Sequence, residues 1–103
     1  MELFTTKVDA KERKGLVKGV AIYSEKYGES IKTAIEVKKG GYIEKFAEST
    51  NATIEEATNK MIAKAKDIGA NGIEGIRINV QNVVSNSSDF VTIVTIYGTA
   101  III

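Results

Sequence analysis

No cysteine, histidine, tryptophan or proline occurs anywhere in these 103 residues. Without cysteine and histidine there are no disulfides, no usual zinc ligand sets, no thiolate nucleophile and no histidine-based triad. General acid–base work near neutral pH would fall to a perturbed carboxylate, lysine or tyrosine, and none has a visible partner in the sequence, so an enzyme is not expected. Excess charge of one sign is missing too. A net charge of +1 makes no global demand for nucleic acid or an anionic membrane as partner. The opening Met1-Glu2-Leu3-Phe4-Thr5-Thr6-Lys7 lacks a basic region followed by an apolar one, and no apolar run approaches bilayer-spanning length. A cytoplasmic protein is expected, which makes the glycosylation-like Asn51-Ala52-Thr53 and Asn86-Ser87-Ser88 chance matches.

What is present suits one globular domain over residues 1–103, with 44% hydrophobic and 26% charged residues. Its strongest periodicity lies between Ile43 and Ile68. Ile43, Phe46 with Ala47, Thr50, Ile54, Ala57, Met61, Ala65 and Ile68 recur at steps of three or four, which places them on one helical face. Lys45, Ser49, Glu56, Lys60, Lys64 and Asp67 lie opposite, with Glu56 and Lys60 spaced as a favourable ion pair. Thr53 with Glu56 reads as a capping box, but the apolar phase runs unbroken back to Ile43. The spacing therefore predicts one helix of about 27 residues, roughly 40 Å long. Gly69 marks its end, with Lys64 and Lys66 suited to the negative pole of its dipole.

Leu3-Phe4-Thr5 is a short extended candidate, and Val8 to Lys14 reads as a polar turn. Leu16 to Ser24 reads as a strand, with Leu16, Val20 and Ile22 on one side and Val17, Ala21 and Tyr23 on the other. Gly19 in its middle signals a bulge or a close backbone approach. In residues 25–41, Ile31, Ala34 and Ile35 suggest a short helical turn before Lys38-Lys39-Gly40-Gly41. From Ile73 to Val83, Ile76, Ile78 and Val80 alternate with Arg77, Asn79 and Gln81, the pattern of an edge strand with one solvated face. Phe90 to Ile102 is apolar in both phases and belongs in the middle of a sheet, joined by a hairpin at Ser85 to Ser88.

The expected fold is α+β: a β-α-β-β subunit whose C-terminal strand is central and antiparallel to both main neighbours, with the long helix crossing one face, right-handed by the general rule. One helix of about 10 Å diameter is narrower than three or four strands at about 4.8 Å spacing. The second face is apolar as well. Residues 25–41 could cover part of it, and neighbouring copies of the chain are expected to cover the rest.

Three stretches invite a functional reading. Gly69 to Gly75 is glycine-rich, but it leaves a helix end, whose carbonyls repel anions, so it reads as a cap and turn. Lys39, Gly40 and Gly41 precede a helix start and form a weak anion-site candidate, set against a flexible linker. Lys7, Lys11, Arg13, Lys14 and Lys18 could build a basic rim for nucleic acid or lipid headgroups, although no aromatic residues interleave them and a solvated turn is favoured. The helix carboxylates Glu44, Glu48, Glu55, Glu56 and Asp67 show no converging set for a hard cation, even with Glu48 or Glu55 placed between subunits.

Taken in order, Thr5-Thr6, Val17-Lys18-Gly19-Val20-Ala21, Gly40-Gly41, Asp67-Ile68-Gly69-Ala70-Asn71-Gly72-Ile73-Glu74-Gly75-Ile76 and Ile96-Tyr97-Gly98-Thr99-Ala100 resemble the YbjQ-like family over nearly the whole chain. The resemblance implies a dodecin-like subunit assembling into a ring, usually a pentamer, in a family that is functionally uncharacterised and often labelled heavy-metal-binding. Soft metals favour thiolate, thioether or imidazole donors, which leaves only Met1 and Met61 here. Met61 lies on the helix's apolar face and reads as core. No catalytic or metal-ligating residue and no cofactor is therefore assigned. The expected function is a non-catalytic homo-oligomer that binds a small ligand or ion at subunit junctions. The alternative is a protein-interaction or scaffold module using the exposed face of the ring.

Overall fold

The structure, a computed structural model, describes residues 1–25, 42–84 and 90–103. The candidate anion site at Lys39, Gly40 and Gly41, the turn at Ser85 to Ser88 and all but Glu25 of the segment 25–41 considered as cover lie outside them; Glu25 is the last residue of a strand. The periodic stretch forms one helix, α1, spanning Tyr42–Asp67. Thr53 does not restart it. The Thr53 hydroxyl donates to the Ser49 carbonyl at 2.7 Å and the Thr58 hydroxyl to the Ile54 carbonyl at 2.7 Å, so both satisfy themselves against the preceding turn. The helix closes where glycine can adopt a left-handed backbone, at Gly69 with φ 81°. There the Ala70 N–H donates to the Ala65 carbonyl and the Gly69 N–H to the Lys66 carbonyl, both at 3.0 Å, the paired bonds of a Schellman cap. Ile68, expected on the apolar face, lies past the last turn and is exposed.

The strands are β1 (Glu2–Leu3), β2 (Glu12–Glu25), β3 (Gly72–Val84) and β4 (Phe90–Ile102). They form one mixed sheet in the order β1-β3-β4-β2, with β4 antiparallel to both β3 and β2 and β1 parallel to β3. The C-terminal strand is central, as its two apolar phases require. The polar stretch ahead of the first long strand is not all turn, because Glu12, Arg13 and Lys14 already belong to β2. Its charged side chains lie at the sheet's end, where neither side need be dry. The irregularity of β2 falls between Arg13 and Gly15, with Gly15 at φ 128°, while Gly19 marks a close approach. A β-carbon built on Gly19 would stand 1.9 Å from the Ala57 carbonyl oxygen.

That approach decides where the helix lies. Gly19 and Ala21 are small, and Ala57 and Ala65 on α1 are small too, so α1 settles low over β2 and β4 and barely meets β3. The core comprises Ala57, Met61 and Ala65 of the helix against Val17, Ala21, Val94, Ile96 and Ala100, with Ile73 and Ile76 from the start of β3. Further along β3 the cover stops. Ile78 is 51% exposed on the helix side, and Val80 beside it is exposed as well. The sequence placed the solvated face of β3 on its polar side alone; its apolar side is open too, because the helix is displaced toward β2.

Candidate functional site

On the sheet side away from α1, cross-strand pairing sets Leu16, Lys18, Val20 and Ile22 of β2 beside Thr99, Tyr97, Thr95 and Ile93 of β4. Glu74, Arg77, Asn79 and Gln81 of β3 continue the same rows. Leu16 is 71% exposed and Ile22 62%, and Val20 and Tyr97 are exposed with them. This outer face is therefore apolar along β2 and the centre and polar along β3. One end of it is covered: Ile101, on the same side, is fully buried.

The cover is the N-terminal segment, held down by both of the chain's arginines. Glu74 points to this side because β3 bulges at Gly75, whose φ is 62°. Its carboxylate is buried. Arg13 Nε donates to Glu74 Oε1 at 2.5 Å, and the Val8 N–H donates to Oε2 at 2.8 Å. Arg13 Nη2 donates to the Val8 carbonyl at 2.9 Å, closing the contact. Arg77 Nη1 donates to the Thr5 carbonyl at 2.7 Å and to its neighbour Ile76 at 2.9 Å. Main-chain bonds from Phe4 N–H to Ile73, from Gly75 N–H to Thr6 and from Ile76 N–H to Phe4 complete the attachment.

Hydrogen bonding from Arg13 and from the Val8 amide holds the Glu74 carboxyl below the usual carboxylate range, more strongly than burial raises it. Glu74 is thus an anion with both oxygens occupied. It clasps the segment and is not placed to take up a proton from a substrate.

The clasp was not legible as a pair in the sequence, since Arg13 and Glu74 stand 61 positions apart. The one local signal was a carboxylate set between Ile73 and Ile76 at the start of an otherwise apolar strand.

Of the five basic positions of the expected rim, Arg13 and Lys7 act on one carboxylate and the others have different neighbours. Arg13 is committed to Glu74, and Lys7 adds only its charge near that carboxylate. Lys14 reaches Glu12 at 3.8 Å and lies along Gly69, where its charge meets the helix's negative end. The Lys11 N–H pairs with the Ile102 carbonyl at the end of the sheet, and Lys18 stands on the outer face opposite Tyr97. Of the helix carboxylates, Glu56 takes its expected partner, Lys60, at 3.4 Å.

A family described as "Putative heavy-metal-binding", YbjQ, matches residues 4–103. The chain belongs to the YbjQ family. It is 38% identical over 87 residues to a UPF0145 protein of Helicobacter hepaticus, covering 84% of this chain and 81% of that one. A UPF0145 protein of Acinetobacter baylyi is 32% identical over 88 residues, covering 85% and 78%. In Methanococcus vannielii a UPF0145 protein is 31% identical over 87 residues, covering 84% and 79%. The fold is similar to a crystal structure of a protein of unknown function from the DUF74 family of Pediococcus pentosaceus, with a TM-score of 0.73. That likeness covers 100% of this chain and 97% of the other at 22% identity.

The metal in the YbjQ family's description can be tested against the donors. The chain has no thiolate or imidazole to offer, the Met61 thioether is sealed under the helix, and Met1 is a single exposed thioether. No cluster of three or more acidic side chains capable of holding a metal ion exists among the described residues. This chain's donor set does not fit a heavy metal.

Proposed function

We propose that this YbjQ protein is a non-catalytic homo-oligomer, a dodecin-like ring of pentameric kind, whose copies shield one another's β layer and bind a small ligand or ion at their junctions. The observation that carries this reading is the open apolar surface on both sides of the sheet: Leu16, Val20, Ile22 and Tyr97 on the outer face, Ile78 and Val80 on the helix face. An isolated soluble chain rarely leaves so much contiguous apolar surface wet.

The chemistry we assign to such an assembly is binding.

Native mass spectrometry of the purified protein tests both halves of the reading, since it reports copy number and retained ligand together. A single closed oligomer carrying extra mass is the expected spectrum. A bare ring would remove the ligand and leave a scaffold; a lone chain would remove the assembly.

A further inference from the structure

We propose that copies join edge to edge, with the open edge of β2 paired in parallel against the open edge of β3 in the next copy, so that one sheet runs through the assembly. This rests on the homo-oligomer reading above and specifies its interface.

Among the described residues the β2 edge has no strand beside it, and the β3 edge has none beyond Ile76. The Val20 carbonyl accepts a bond from Lys60 Nζ at 3.0 Å, so it points away from β4. Alternation then turns the backbone groups of Lys18, Val20 and Ile22 to the same open edge. On β3, the Ile76 N–H bonds to Phe4 on the β1 side, and β1 itself pairs only as far as Ile73. Two residues on from Ile76, and again after that, Ile78 and Val80 present their backbone groups on the same side with no strand to meet them. Long open edges of this kind invite pairing with another chain.

Direction selects the partner. β2 and β3 are each antiparallel to β4 and hence parallel to one another. A rotation that carries one copy to the next lays β2 beside the neighbour's β3 in parallel, uses both edges of every copy and closes on itself. Pairing like edges would be antiparallel and would leave the other edge of each copy open.

Side chains agree with that choice. Helix-side residues next to the β2 edge are Gly19 and Ala21, while those at the β3 edge are the exposed Ile78 and Val80. Small residues then lie against large ones, and the methylene stem of Lys60, already reaching over the β2 edge, covers the neighbour's Ile78 and Val80.

Because the chain has no cysteine, engineered thiols report contacts cleanly. Val20 and Asn79 are both exposed on the outer face of their edges. Val20→Cys, Asn79→Cys and the double variant would be oxidised to form disulfides, after light scattering has shown that each retains the native mass; within one chain both positions flank Thr95 two strands apart, roughly 10 Å and beyond a disulfide's reach, so only a neighbouring copy can be linked. Edge pairing predicts a ladder of linked chains up to the full assembly for the double variant and single chains for each single variant. Dimers from either single variant would mean that like edges or outer faces meet, and would overturn the proposal. An assembled double variant without links would overturn it too.

Hydrogen exchange on the unmodified protein supplies a second readout if a variant fails to assemble. The amides of Lys18, Val20 and Ile22 should exchange at least 100-fold slower than in an unpaired strand, and fast exchange in an intact oligomer would exclude the pairing. A wild-type mass equal to one chain would instead sink the homo-oligomer reading on which this interface rests.

Discussion

Glu74 ties the chain's first residues to its last strands, so its loss should be felt at a distance. Its carboxyl is held below the usual range in the folded chain, and the unfolded chain therefore binds more protons as pH falls through the carboxylate region. Its contribution to stability is fully present above the ordinary glutamate pKa and is lost as pH drops toward the lowered folded value. Urea midpoints measured from pH 7 down to pH 3 should fall less steeply for Glu74→Gln than for the parent, and the two curves should converge in acid. Parallel curves would show that the clasp adds nothing.

Gly19 makes an equally local prediction. An added methyl would meet the Ala57 carbonyl, which is backbone and cannot swing aside, so Gly19→Ala should destabilise by about 1–3 kcal/mol, measured by urea unfolding. At this scale the sequence was partly readable. Gly19 could be suspected because a glycine inside a strand has few reasons to be there, whereas the partnership of Arg13 with Glu74 depends on a bulge at Gly75 that no periodicity announces.

Elements were the most legible level, because two periods separate cleanly. The apolar recurrence from Ile43 to Ala65 fitted one helix even through Ser49-Thr50-Asn51, and the structure runs α1 through them. Packing along one stripe outweighs weak local propensity. Strand β4, apolar in both phases, was placed centrally for the same reason. The boundaries of β2 were less legible, since Glu12 to Lys14 extend past the point where either side needs burial.

Two substitutions test the helix. Gly69 has open space around it apart from the Lys14 side chain, so Gly69→Ala isolates the left-handed backbone and should lose about 1–2 kcal/mol. Met61 is fully buried in the core, and Met61→Ala should lose about 2–5 kcal/mol through the cavity it leaves. Chemical denaturation measures both. A Met61→Ala loss below that of Gly69→Ala would contradict the packing described for α1.

At the scale of the whole molecule, the sheet outruns the helix. Strands of 13 and 14 residues carry one described helix that rests on β2 and β4 and leaves Ile78 and Val80 of β3 exposed. The need for further cover was visible in the sequence as a count of apolar faces against a single helix. The displacement of α1 that opens β3 in particular was not, because it follows from the three-dimensional contact of Gly19 with Ala57.

If copies supply the missing cover, unfolding is coupled to dissociation, and the thermal midpoint should rise with protein concentration across the micromolar range. A midpoint independent of concentration would count against that coupling.

Multi-angle light scattering on the native protein at micromolar concentration decides whether copies supply the missing cover. A single species whose mass is a whole multiple, greater than one, of 11.1 kDa is expected. A well-folded species of 11.1 kDa would contradict it.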